Sequence, residues 1–138
     1  MSGRAIPFTG SDGPRYQGAQ RNQRVVQIGR DGQLLRLRGK VLSTAGYIVH
    51  SATPDEAPAE VRKASGVQVW VFCHTIEFYE LALLAVAIRS SRPADKLLRL
   101  NTPNDIGQLP GLFDGFLEPA HGVEDLLRAV DDLANNHR

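Results

Sequence analysis

The sequence predicts an α/β domain built on a parallel sheet with helices on both faces. Three observations carry this. Val67–His74 (VQVWVFCH) is mostly apolar, rich in β-branched and aromatic residues, and bounded by Gly66 and a polar pair, the pattern of a strand buried on both faces. Short apolar runs of this kind alternate along the chain with segments of helical periodicity, and such alternation gives parallel sheets. The chain has 138 residues, of which 42% are hydrophobic and 22% charged, enough for one core of ordinary globular composition.

Residues 1–23 carry Gly, Pro, Arg and Gln without periodicity and are expected to form a flexible N-terminal tail ahead of one folded domain over 24–138. Arg24–Gly29 (RVVQIG) is the first strand. Asp31–Ala45 places Leu34, Leu35, Leu37, Val41 and Leu42 at helical spacing, with Arg36, Arg38 and Lys40 assigned to a solvated outer face, and Gly46 stands where a helix closes in the left-handed region. Tyr47–His50 (YIVH) is the second strand. Thr53-Pro54-Asp55-Glu56 reads as a capped helix start, with Thr53 and Glu56 as a capping box, and Pro58 interrupts the short helix that follows.

After the central strand, Ile76–Ser90 is the clearest helix, with Thr75 as its expected cap. Phe78, Leu81, Leu84, Ala85 and Ile88 form its inward stripe, while Tyr79 and Leu83 point outward. Lys96–Leu100 is the fourth strand and Phe116-Leu117 a brief fifth. Between them, Asn104–Leu112 has room for no more than a turn or two of helix. Val123–Ala134 is a final amphipathic helix, with Val123, Leu126, Leu127, Val130 and Leu133 inward and Glu124 and Asp125 favouring its start. The order β-α-β-α-β-α-β-(short)-β-α implies a three-layer, flavodoxin-like domain whose five-stranded parallel sheet runs 2-1-3-4-5.

Composition narrows the function. A net charge of +1 argues for neither a nucleic-acid nor an anionic-membrane partner. The single Cys forbids an internal disulfide, so a reducing, cytoplasmic compartment is expected. No segment reaches the length needed to cross a bilayer, and no hydrophobic signal region opens the chain. His50, His74, His121 and His137 lack metal-ligand spacing, and GRDGQ lacks a phosphate-binding glycine pattern, so no metal or other cofactor is expected. Cys73-His74 suggests a nucleophile and base. Adjacent strand residues point to opposite faces, however, so the inert reading of Cys73 is preferred.

Three phrases, VVQIGRD, VWVFCH and FDGFLEPAHGVEDLLRAV, taken in order and spacing, resemble the receiver domain of bacterial two-component response regulators, the CheY-like family. The resemblance spans Arg24 to Leu133. It implies an acidic Mg²⁺-binding pair after the first strand, where this chain has Gly29 and Arg30 with Asp31 beyond. It implies a phosphoacceptor Asp ending the third strand, matched by His74. It implies a Ser or Thr ending the fourth, matched by Asn101 or Thr102, and a Lys before Pro119, matched by Glu118. The family's fourth helix is the one shortened here.

The resemblance therefore implies a degenerate phosphorylation pocket. Gly29 offers no ligand, Arg30 repels a cation, no carboxylate stands at position 74, and an acid replaces the Lys. Arg30 and Glu118 are expected to pair across the strand ends. The reading that follows is a non-catalytic pseudo-receiver acting as a signalling or regulatory protein-interaction module without aspartyl phosphorylation. Its partner is another protein or a second copy, met through Phe78, Tyr79, Leu83, Asn104 and Leu112. The alternative is a small-molecule sensor that uses the altered strand-end pocket.

Overall fold

A computed structural model of the chain describes residues 23–100, 111–118 and 122–135. Its elements are β1 (Arg24–Ile28), α1 (Gly32–Thr44), β2 (Ile48–Ala52), α2 (Ala57–Lys63), β3 (Val67–Phe72), α3 (Phe78–Ser91), β4 (Lys96–Leu100), β5 (Gly115–Leu117) and α4 (Val123–Ala134). The five strands pair in parallel in the order β2-β1-β3-β4-β5, as the alternation predicted. Four helices lie among the described residues, in two layers. All but the last residue of the expected tail over 1–23, and most of the expected short helix over Asn104–Leu112, lie outside the described residues.

The strand alternation divides the core in two. Val25, Val69, Val71 and Leu98 face α1 and α4, where Leu42, Leu126 and Val130 meet them. Val26, Ile28, Trp70, Phe72 and Leu97 face α2 and α3, where Val61, Leu84, Ala85 and Ile88 meet them. Fully burying side chains of this size stabilises the fold by about 1.5–3 kcal/mol each. The buried Trp70 indole N–H donates to Asp95 Oδ2 at 2.9 Å, so its polar edge is satisfied.

A neutral polar residue sits inside a central strand, β1. Gln27 of β1 is fully buried, and its Nε2 donates to the Leu35 carbonyl at 2.6 Å and to Ser51 Oγ at 2.9 Å. A Cβ on Gly39 would lie 3.0 Å from that nitrogen. Glycine in mid-helix disfavours α1, and the room it leaves for the Gln27 amide is the structural reason for it.

Arg89 and Arg92 tie α3 to its neighbours. Arg89 Nε donates to the Leu112 carbonyl at 3.0 Å and its Nη2 pairs with Asp114 Oδ2 at 2.7 Å. Asp114 Oδ2 also accepts the Leu97 N–H at 2.8 Å, joining helix, strand and connection at one carboxylate. Arg92 Nε donates to the Val61 carbonyl at 3.0 Å, and its Nη2 to that of Ala64, at the end of α2.

Several local expectations are corrected. β2 begins at Ile48, because Tyr47 is buried and its N–H bonds back to the Leu42 carbonyl. Thr53 and Glu56 make the reciprocal capping-box bonds, but around a turn that precedes α2. Pro58 therefore falls in the first turn of α2, where a missing N–H costs nothing, and does not interrupt it. Thr75 does not cap α3; the N-cap is Glu77, with no side-chain bond. Phe78 and Val123, assigned inward, are 44% and 38% exposed, since each opens its helix beyond the edge of the core. Arg38, assigned to the solvated face, is buried, because it shares the inward face of α1 with Leu35 and Leu42.

Candidate functional site

The carboxyl ends of β1 and β3 meet closely. The Cys73 N–H donates to the Ile28 carbonyl at 2.9 Å, so pairing continues one residue beyond β3. A Cβ on the buried Gly29 would lie 2.9 Å from Cys73 Cβ, 3.1 Å from its Sγ and 3.2 Å from Thr75 Oγ1. The absence of a side chain at position 29 is thus what lets the two strand ends close. The residue brought against Gly29 is Cys73, one position before His74.

Arg30 is held on both its backbone and its side chain. Its N–H donates to Thr75 Oγ1 at 2.9 Å, which is where the hydroxyl expected to cap α3 is used. Its guanidinium reaches Glu80 of α3 in a two-oxygen contact, at 2.6 and 2.5 Å. The expected Arg30–Glu118 pair is therefore replaced by Arg30–Glu80, because the backbone bond to Thr75 directs Arg30 toward α3 and away from β5. Asp31 is also occupied: its Oδ1 accepts the Gln33 and Leu34 N–H groups at 3.0 and 3.3 Å, capping α1.

These positions do not fit Mg²⁺, which needs several oxygen ligands in octahedral geometry. Gly29 supplies no side-chain oxygen, Arg30 brings a positive charge, and the Asp31 carboxylate serves α1. The residues after β3 are Cys73, His74 and Thr75, so no carboxylate nucleophile ends that strand. Among the described residues, no group of three or more His, Cys, Asp or Glu is arranged to hold a metal ion.

What surrounds the end of β3 is positive charge. Arg99, buried in β4, donates from Nη1 to the Cys73 carbonyl at 2.7 Å. Arg38, buried on α1, lies by the Cys73 thiol. Burial pushes the thiol pKa up and the two guanidiniums only partly offset it, so Cys73 is a protonated, inert thiol at neutral pH. Neither arginine was singled out as a site residue from sequence. A helical register of Leu35, Arg38 and Leu42 and an Arg inside the apolar run KLLRL were the available signals.

His74 has its pKa held below the usual histidine value by burial first, then by Arg38 and Arg99. Its Nδ1 is buried without a hydrogen-bond partner among the described residues. A histidine depressed in the folded state takes its proton more readily when unfolded. Its neutral form therefore contributes stability above the unfolded pKa of about 6.5, lost as pH falls through the lower folded value. Between about pH 7 and pH 5, the urea midpoint of the wild type is expected to fall more steeply than that of His74→Asn. Parallel curves would show that His74 does not carry this dependence.

Of the remaining site residues, Glu118 is exposed just beyond β5, and Leu112 is half-buried against the core beneath α3. Asn101, Thr102, Asn104 and Pro119 lie outside the described residues. On α3, Tyr79 is 72% exposed, Leu83 56% and Val86 50%.

No protein-family model matches the sequence, and no curated protein matches it. Solved structures do. A CheY-like response regulator receiver domain protein from Methanospirillum hungatei superposes with a TM-score of 0.72 at 19% identity, over 83% of this chain and 95% of that one. An adenylate cyclase structure from Rhodopirellula baltica matches with a TM-score of 0.74 at 20% identity, over 82% and 87%. A response regulator receiver domain protein from Clostridium thermocellum matches with a TM-score of 0.73 at 14% identity, over 82% and 94%. At these identities the likeness is one of fold: the chain has the CheY-like receiver fold.

Proposed function

We propose that this chain is a non-catalytic signalling or regulatory module of receiver fold that acts by binding another protein chain, without aspartyl phosphorylation. The outer face of α3 supports the binding role. At about 100° per residue, Tyr79, Leu83 and Val86 fall within about 60° of one another, opposite the buried Leu81, Leu84 and Ile88. A solvated helix face ordinarily carries charge, whereas this one is apolar and aromatic, the composition of a contact surface. No helix among the described residues is long and apolar enough to cross a membrane, so a bilayer-spanning role for this face is not invoked.

The strand ends support the absence of phosphorylation. Gly29, Arg30 and Asp31 are each committed to packing, ion pairing or capping, and the end of β3 is flanked by two buried guanidiniums. Incubation of the full chain with acetyl phosphate and Mg²⁺, followed by intact-mass measurement, is expected to show no phosphoryl adduct. A stable, stoichiometric adduct on an Asp or Glu would overturn this part of the reading.

A further inference from the structure

A cleft opens between α1, the ends of β4 and β5, and the start of α4, with a volume of about 170 Å³. Its walls are chiefly aliphatic, among them Leu34, Leu37, Leu117 and Val123. Leu37 and Val123 are 54% and 38% exposed, large apolar surface left uncovered at a concave site. Two charged groups line it: Arg38 within and the exposed Glu118 at the rim.

Arg38 is the unusual member. It is 8% exposed, its side chain hydrogen-bonds with the Cys73 thiol, and its Nη1 is buried with no hydrogen-bond partner. Among the described residues no carboxylate pairs with it; its neighbours near the end of β3 are the Cys73 thiol and a histidine disfavoured from charging. Buried cations are ordinarily paired, because an uncompensated charge away from water is costly. Arg38 lines an open aliphatic cleft with a positive charge that no carboxylate neutralises, and an anion from outside the chain would supply the missing counter-charge.

We propose that this cleft binds a small aliphatic monocarboxylate, its carboxylate on Arg38 and its alkyl body against the leucines and Val123. Size and charge select this class. At about 30 Å³ per water-sized unit, the cleft holds about six non-hydrogen atoms, close to the roughly six or seven of a four- or five-carbon carboxylate with its two oxygens. The aliphatic walls favour an alkyl body over a hydrated inorganic ion. Glu118 at the rim repels a second negative charge, which disfavours phosphate and dicarboxylates. The site is independent of the interaction reading, because α1 and α4 cover one face of the sheet and α3 the other.

The test is a titration of the isotopically labelled full chain with pentanoate, followed by NMR. The Leu34, Leu117 and Val123 methyls and the Gly122 amide are expected to shift saturably. 1-Pentanol, with the same body and no charge, is expected to bind about tenfold more weakly or worse, and inorganic phosphate to leave these signals unmoved. Arg38→Met, which replaces a buried cation by an apolar chain of similar length, is expected to weaken pentanoate about tenfold or more while leaving 1-pentanol unchanged. If that variant does not fold, Arg38→Lys serves, with an intermediate loss because the planar fork is gone. The proposal is overturned if pentanoate does not perturb the cleft, if phosphate or the alcohol binds as tightly, or if the folded Arg38 variant keeps wild-type affinity.

Discussion

Gly29→Asp is expected to destabilise the domain by about 2–6 kcal/mol, the sum of overpacking and of a carboxylate placed at a buried position. The added Cβ would meet Cys73 Cβ at 2.9 Å, closer than two such carbons approach, and the Cys73 Sγ and Thr75 hydroxyl stand just behind it. Cys73 cannot swing aside cheaply. Its N–H is bonded to the Ile28 carbonyl, its carbonyl to Arg99, and its side chain is buried. Arg30→Asp is a different case. It removes a solvent-screened ion pair with Glu80, which contributes little to stability. Of the two positions where the resemblance implies an acidic pair, one is therefore open to an acid and the other closed by packing. Urea unfolding gives the measurement: the Gly29→Asp midpoint should fall well below that of Arg30→Asp at similar slope. An unchanged midpoint for Gly29→Asp would mean that the strand ends have room for the carboxylate, and with it the case for a structurally closed pocket would fail.

The sheet was legible because its signals are local and repeated. Val67–Phe72 is apolar on both sides of the pleat, and the βα alternation around it leaves few topologies to choose from. The candidate site was less legible because it depends on where side chains turn, which spacing alone does not set. Arg30 lies in a short turn whose direction is decided by one backbone bond to Thr75, forty-five residues away. Its pairing with Glu80 rather than Glu118 follows from that bond. Arg38 was misplaced for another reason. A charge between leucines is ordinarily assigned to solvent, and only the shared face with Leu35 and Leu42 puts it inside. The positive charge at the end of β3 comes from Arg38 and Arg99, neither of which the sequence reading placed there.

Tyr79→Asp combined with Leu83→Asp is expected to abolish partner binding while leaving the domain folded. Both side chains are more than half exposed and neither belongs to the core cluster that α3 builds with β3 and β4. Exposed substitutions of this kind ordinarily change stability by no more than about 0.5 kcal/mol each, so the unfolding midpoint should barely move. Binding should respond strongly. Apolar and aromatic residues at the centre of an interface contribute about 2 kcal/mol or more when truncated, and a carboxylate there adds the cost of burying an unpaired charge. Two such changes together correspond to a loss of affinity of about a thousandfold or more. Sedimentation velocity on the wild type and the double variant reads self-association directly. Quantitative affinity capture from the native cell reads a different partner, with Arg128→Ala on α4 as a surface control remote from α3. Proteins held equally by wild type and control but lost from the double variant would locate the contact on α3. If neither self-association nor any captured protein depends on Tyr79 and Leu83, the apolar face is not the working surface and the interaction reading falls with it.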